Sequence, residues 1–245
     1  MLLNKIFRII ILKEVDKVKC FKNGNDCPYR NICSNKTSDG NCYKLCSKFN
    51  EIGTLFYNAN IPRAYLQPMV LYPDEIDVPA FDVLKAIKDN IVDYVNESVY
   101  ITISSKNRGN GKTSWAIKIL QNYLHNIWYE PGGRTRGLYV DVPEYISELK
   151  AGFDSKENEA RLFAKDIDRA DLVIFDNIDV QRLSEWERSV LTQHIRKRLN
   201  NGLSNIYITR DIDTNLKNAV GYDLAYYLCD RSCVLPLLGK GGKLK

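Results

Sequence analysis

Hydrophobic positions along the chain follow two rhythms, and their alternation predicts a fold. Phe81, Leu84, Ile87, Ile91 and Val95 recur at helical spacing and predict one amphipathic helix. Residues 99–103 are a short β-branched run, 113–128 read as a helix and 137–142 as a strand. Helical segments follow around 143–150 and 157–169, and 171–175 form a continuous apolar strand. Residues 184–200 predict a helix with Ser184 as its cap, Glu187 three residues on and Gly202 beyond its end. A strand at 205–209, a helix near 213–228 and a strand at 233–238 complete the series. Strands alternating with helices predict an α/β domain: a mostly parallel sheet covered by helices on both faces. No internal repeat is present.

Before this series the rhythm stops. Residues 52–79 are rich in turn formers, with Gly53, Pro62, Pro68, Pro73 and Pro79. The expected organisation is an N-terminal unit at 1–60, a linker at 61–79 and the α/β domain at 80–245. No stretch approaches the roughly 20 apolar residues of a spanning helix. The apolar run 2–12 is interrupted by Lys5 and Arg8 and passes into Lys13, Glu14, Asp16 and Lys17, which does not fit a signal peptide. A cytoplasmic protein with no membrane partner is expected. At 44% hydrophobic and 27% charged, the chain has a soluble globular composition and not a disordered one.

Charge and cysteine content single out the N-terminal unit. The net charge is +5, but residues 1–50 carry ten basic and four acidic residues, so the excess is local. Five of the seven cysteines, Cys20, Cys27, Cys33, Cys42 and Cys46, lie in the same stretch. In a reducing compartment such a cluster holds a metal more often than disulfides. Four thiolates close a tetrahedral zinc site and leave about −2 of charge, which the surrounding Lys and Arg would offset. Cys27, Cys33, Cys42 and Cys46 are the expected Zn²⁺ ligands, with Cys20 a spare or substitute. An iron–sulfur cluster is the alternative that cysteines alone leave open. Cys229 and Cys233 are expected in the core, and His125 and His194 as ordinary helix-face residues.

Candidate chemistry sits directly after the first strand of the α/β domain. Gly109-Asn110-Gly111-Lys112-Thr113 follows that strand and opens a helix. Glycines let the backbone turn tightly, so that several N–H groups face one phosphate at the positive end of the helix dipole. Arg108, Gly109, Asn110, Gly111, Lys112, Thr113 and Ser114 are the expected phosphate-binding set. Lys112 would reach the β- and γ-phosphates of ATP and Thr113 would place its hydroxyl on Mg²⁺. The full pattern has glycine where Lys106 stands. A second acid is needed for the metal at the end of a buried strand, and Asp176 supplies it. The next position is usually acidic in hydrolysing members and is here Asn177, with Asp179 close by. The turn and the acid are expected to meet at the ends of neighbouring buried strands.

From this loop to residue 238 the chain resembles the AAA+ domain of the DnaC/DnaI-type helicase loaders, phage versions in particular. Gly109-Asn-Gly-Lys-Thr-Ser-Trp115, Arg136-Gly-Leu-Tyr-Val140, Asp171-Leu-Val-Ile-Phe-Asp176 and Asn201-Gly-Leu-Ser-Asn-Ile206 carry the likeness. Cys27-Pro-Tyr-Arg-Asn-Ile-Cys33 resembles the cysteine-rich zinc domain with which related loaders dock on the replicative helicase. The resemblance implies a P-loop NTPase of the AAA+/ASCE type with a small N-terminal metal-binding domain. It implies ATP-dependent binding to a hexameric replicative DNA helicase and help in placing it on single-stranded DNA. The family's sensor position, usually Asn, holds Thr209-Arg210 here. Its arginine finger, which follows a Leu-Ala element matched by Leu224-Ala225, falls on Tyr226 or Tyr227, with Arg231 the nearest arginine. Departures at Asn177, Arg210 and Tyr227 weaken hydrolysis and leave binding intact, so turnover is expected to be slow or absent.

Arg196-Lys197-Arg198 and Lys240 to Lys245 are the candidate contacts for single-stranded DNA, and such loaders can self-associate. Three rival readings remain at this point. One is a degenerate ATP-dependent module that inhibits or remodels a helicase or initiator. Another is an IstB-like transposition ATPase, which would bind duplex DNA and need no metal clip. The last is a small-molecule P-loop kinase, disfavoured because no arginine-rich lid follows the third strand.

Overall fold

A computed structural model describes residues 47–66, 70–128, 134–151 and 159–240. The four cysteines proposed for zinc, together with Cys20, lie outside the described residues, as do 241–245 of the C-terminal basic run. Five strands form one parallel sheet: β1 (Tyr100–Ser104), β2 (Gly137–Asp141), β3 (Leu172–Asp176), β4 (Ser204–Thr209) and β5 (Cys233–Pro236). Their spatial order is β2-β3-β4-β1-β5. β1 and β3, expected from the sequence to be neighbours, are therefore separated: β4 runs between them, paired to both.

Alternation along each strand builds the two helical layers. Ile101, Ile103, Leu172, Ile174, Ile206 and Ile208 bury one face. Against them pack α1 (Ser47–Asn58), α2 (Val78–Asp89), α3 (Ile91–Asn96) and α4 (Lys112–Asn126). Val173, Phe175, Tyr207, Leu138 and Val140 bury the other face. They meet α5 (Val142–Ala151), α6 (Glu159–Arg169), α7 (Glu185–Asn200), α8 (Thr214–Val220) and α9 (Tyr222–Ala225). Full apolar coverage explains why these strands read as unbroken hydrophobic runs. Ser184 caps α7 with Glu187 completing the capping box.

Two long helices are broken. Residues 81–95 divide into α2 and α3 at Asn90, whose side-chain amide bonds back to the Ala86 carbonyl at 2.9 Å. A local side-chain bond of this kind competes with helix continuation. The helix expected at 213–228 stops at Gly221, with φ +86°, and resumes as α9 and a π-helical turn, Tyr226–Asp230. The end of the stretch assigned to the N-terminal unit and the start of the linker are folded onto the sheet domain. Ala59 and Ile61 are buried in its core, and the β2 edge is closed where Tyr139 N–H donates to Ala59 O at 2.8 Å. Covering the edge removes a template for unwanted strand pairing. Asp77, 2% exposed, accepts the backbone N–H groups of Leu238 and Gly239 at 2.7 and 3.0 Å. No helix among the described residues is long and apolar enough to cross a membrane.

One cysteine expectation changes. Cys233 is exposed, because β5 is an edge strand that turns only Leu235 fully inward, whereas Cys229, in the π-helical turn, is half-buried against the core.

His194 is no ordinary helix-face residue. Its Nδ1 lies 2.6 Å from Asp168 and its Nε2 2.7 Å from the Tyr145 hydroxyl, while Lys197 donates to Asp168 at 2.6 Å. This network ties α5, α6 and α7 together. Burial raises the Asp168 carboxyl, but hydrogen bonds and charge from Lys197 and His194 outweigh it and hold the group below its ordinary value. A carboxylate held down in this way stabilises the fold above its unfolded value, and that contribution disappears as pH falls through the folded one. Asp168→Asn is expected to cost about 1–2 kcal/mol at pH 7. It should also flatten the acid limb of a urea-denaturation series measured from pH 7 to pH 3.

Candidate nucleotide-binding site

All strands end on the same side, and there the loop between β1 and α4 turns back on itself. Gly109 and Gly111 take left-handed φ values of +75° and +92°, a region that glycine enters without steric cost. Arg108 and Gly109 form the exposed tip, Asn110 is buried, and Ser114 is half-buried in the first turn of α4. Asn110 Nδ2 is bonded to Ser105 Oγ and, at 3.2 Å, to Leu237 O. Lys112 Nζ donates to Ser105 O and Asn107 O at 3.0 Å each, and to Asn110 Oδ1 at 3.4 Å. Lys106, at the position that is usually glycine, is exposed and pairs with Asp211 and Asp213 at 3.2 Å each. It thus links the start of the loop to the segment leaving β4.

The acid at the end of β3 meets this loop through the first turn of α4. Thr113 Oγ1 donates to Asp176 Oδ2 at 2.9 Å, and Tyr139 of β2 donates its hydroxyl to the same oxygen at 2.9 Å. Tyr65, from the segment before the sheet, also approaches: burial and the Asp176 charge push its phenol up, and a hydrogen bond with Thr113 opposes them. Burial raises the Asp176 carboxyl, against the hydroxyls of Tyr139 and Thr113 and the Asn177 amide. Burial lowers the Lys112 ammonium, against the charges of Asp176 and Asp179. A carboxyl raised by burial is one whose charge a bound cation would stabilise.

The turn after β3 carries the remaining acidic candidates. Asn177 has φ +59°; its N–H donates to Asp176 Oδ1 at 2.7 Å and its amide to Asp141 Oδ2 at 2.7 Å. Asp179 Oδ2 accepts the N–H groups of Arg210 and Asp211 at 2.8 and 3.2 Å. Its role here is to hold the segment leaving β4. Thr209 is the register partner of Ser104, and its hydroxyl is buried without a hydrogen-bond partner among the described residues. The residues therefore fit a magnesium-bound triphosphate. They offer a glycine turn at a helix start, one ammonium, a hydroxyl beside a carboxylate, and an orphaned hydroxyl on the floor. Lys112 and the loop amides would hold the phosphates, and Thr113 with Asp176 the Mg²⁺.

Lys112, Thr113, Asp176, Asn177, Asp179, Thr209 and Arg210 are gathered at one end of β1, β3 and β4. Tyr226 is half-exposed beside Tyr227, with ring centroids 5.6 Å apart. Arg231 acts on Tyr100, at the start of β1 and so at the opposite end of that strand from the loop. The basic triplet on α7 does not form a patch: Arg196 is exposed, Lys197 pairs with Asp168, and Arg198 is fully buried. Sequence reasoning missed Tyr65, Tyr139 and Asp141. For Asp141 the signal was present, because it closes an apolar strand on the side where parallel sheets bind ligands.

No protein-family model matches the chain, and no curated protein sequence matches it significantly. Solved structures do. The DnaC helicase loader superposes with a TM-score of 0.56 at 22% identity, over 68% of this chain and 93% of that one. DnaI superposes with a TM-score of 0.56 at 17% identity, over 73% and 94%. The replication initiator DnaA, bound to AMPPCP and single-stranded DNA, gives 0.53 at 14% identity, over 66% of this chain and 46% of that one. The chain has their fold: a parallel five-stranded sheet flanked by helices.

Proposed function

We propose that this protein is an ATP-binding helicase loader of the DnaC/DnaI kind that acts in DNA replication, in a phage version. It docks on a hexameric replicative DNA helicase through an N-terminal unit within residues 1–60 and helps place that helicase on single-stranded DNA. Cys27, Cys33, Cys42 and Cys46 hold Zn²⁺ in that unit. Residues 80–245 form the nucleotide-binding domain, with ATP on the 108–114 loop and Mg²⁺ between Thr113 and Asp176. Binding is retained and turnover is slow. The observation that carries the nucleotide half is the 2.9 Å contact between Thr113 and Asp176, which joins the phosphate turn to the acid across an intervening strand. The fold shared with DnaC and DnaI supports the loader half.

The test is co-elution of the full chain with the host's replicative helicase on size exclusion, with and without ATP. A complex is expected that persists longer with ATP and is lost in the double variant Cys33→Ser, Cys42→Ser. A helicase that never co-elutes, with ATP or without, removes the loader assignment. Binding of a fluorescent ATP analogue then decides the nucleotide half separately.

A further inference from the structure

A hydrolysing site needs a group that takes a proton from the attacking water, and the amide at 177 cannot accept one. The carboxylate has not vanished from the neighbourhood; it lies one strand over. Asp141 closes β2, and its Cα is the register partner of Asp176 at the end of β3. Its Oδ2 is held by the Asn177 amide at 2.7 Å, and its Oδ1 accepts Glu144 N–H at 3.1 Å in the first turn of α5. Asn177 adopts φ +59°, with its N–H turned to Asp176 and its side chain to Asp141. A non-glycine residue in that region costs conformational energy and persists where the surroundings fix it. Asp179, the other nearby carboxylate, uses Oδ2 on two backbone N–H groups, and its Oδ1 is closed off from solvent. Asp141 is only half-buried.

We propose that Asp141 is the general base of this site and that Asn177 restrains it. The inference rests on the nucleotide-binding reading above. In the step, water oxygen bonds to the γ-phosphorus as the bond from that phosphorus to the β–γ bridging oxygen breaks. The bond electrons stay on the bridging oxygen of ADP, and the water proton passes to the Asp141 carboxylate, which later releases it to solvent. The amide takes one acceptor site of Oδ2 and fixes the orientation of the carboxylate, which slows its engagement of water and accounts for slow turnover without a missing base.

The test combines equilibrium binding with single-turnover hydrolysis on the full chain. Asp141→Asn keeps an acceptor for the α5 N–H, so its melting temperature should stay near the wild-type value. It should bind ATP and ADP within about threefold of wild type, hydrolyse ATP at least about 100-fold more slowly, and bind ADP–aluminium fluoride at least about tenfold more weakly. Asn177→Ala should hydrolyse several-fold faster than wild type, and the double variant should match Asp141→Asn. If wild type fails to bind ATP, the underlying site reading is wrong. If wild type binds ATP but Asp141→Asn hydrolyses as fast, the base assignment is wrong while the binding reading stands. The same holds if Asp179→Asn alone stops turnover, or if neither wild type nor Asn177→Ala turns over.

Discussion

Lys112→Ala is expected to weaken ATP binding about 10³-fold while leaving the fold nearly as stable as before. The ammonium makes three hydrogen bonds, all to acceptors of its own loop: Ser105 O, Asn107 O and Asn110 Oδ1. A phosphate bound in this turn would draw the ammonium away from these acceptors. Two charge-assisted bonds to phosphate oxygens at about 2 kcal/mol each give about 4 kcal/mol, and each 1.4 kcal/mol is about tenfold in affinity. Losing the ammonium does little to the fold, because its three bonds are part-buried and water entering the space it leaves can replace it. Lys112→Arg should not rescue binding, since a planar guanidinium does not fit a turn shaped around a compact ammonium. Titration with a fluorescent ATP analogue, alongside a melting curve without nucleotide, separates the two effects. Unchanged affinity in Lys112→Ala would mean that phosphate does not bind at this loop.

Sequence reading reached those parts of the site whose geometry is local. The glycine turn, Lys112 and Thr113 are contiguous, so strand, turn and helix start together specify their local geometry. Asp176 was legible because an acid closing an apolar strand has few reasons to be there. What converges on Asp176 from elsewhere was not legible. Tyr65 comes from a segment read as linker, and Tyr139 and Asp141 come from β2, whose place in the sheet depends on the order β2-β3-β4-β1-β5. Strand order follows from which apolar faces pack together in three dimensions, and spacing along the chain carries no record of it. The same limit explains why β1 and β3 read as neighbours. The breaks at Asn90 and Gly221 escaped for another reason: hydrophobic periodicity runs across both, and each depends on one residue's own backbone chemistry. For Asn177 the sequence exposed the loss of an acid, and the fold shows that its amide turns toward another carboxylate.

Arg198→Ala is expected to cost about 4 kcal/mol of stability, enough to unfold a large share of a marginally stable domain. Basic residues in a row read as a surface for nucleic acid, yet Leu191, Ile195 and Arg198 share one face of α7 and all three are fully buried. The guanidinium spends its donors on the backbone. Nη1 reaches Ile167 O at 2.5 Å and Ala170 O at 2.7 Å, Nη2 reaches Ser204 O at 2.6 Å, and Nε reaches Asn205 Oδ1 at 2.5 Å. Ile167 O and Ala170 O belong to the end of α6, where carbonyls lack helical partners and carry the negative end of the dipole. Ser204 and Asn205 begin β4. One side chain thus joins the end of a helix to the start of a central strand, and burial pushes its own pKa down to about 10. Truncation leaves these acceptors in the interior without donors, at about 1–3 kcal/mol for each left unsatisfied, partly relieved by relaxation. Arg198→Lys should fall between, because an ammonium cannot span the planar fork that serves helix and strand at once. Arg196→Ala, two residues away on the exposed face, should stay within about 0.5 kcal/mol of wild type. Urea denaturation of the three variants gives the ranking, and an Arg198→Ala protein as stable as Arg196→Ala would place that side chain at the surface after all.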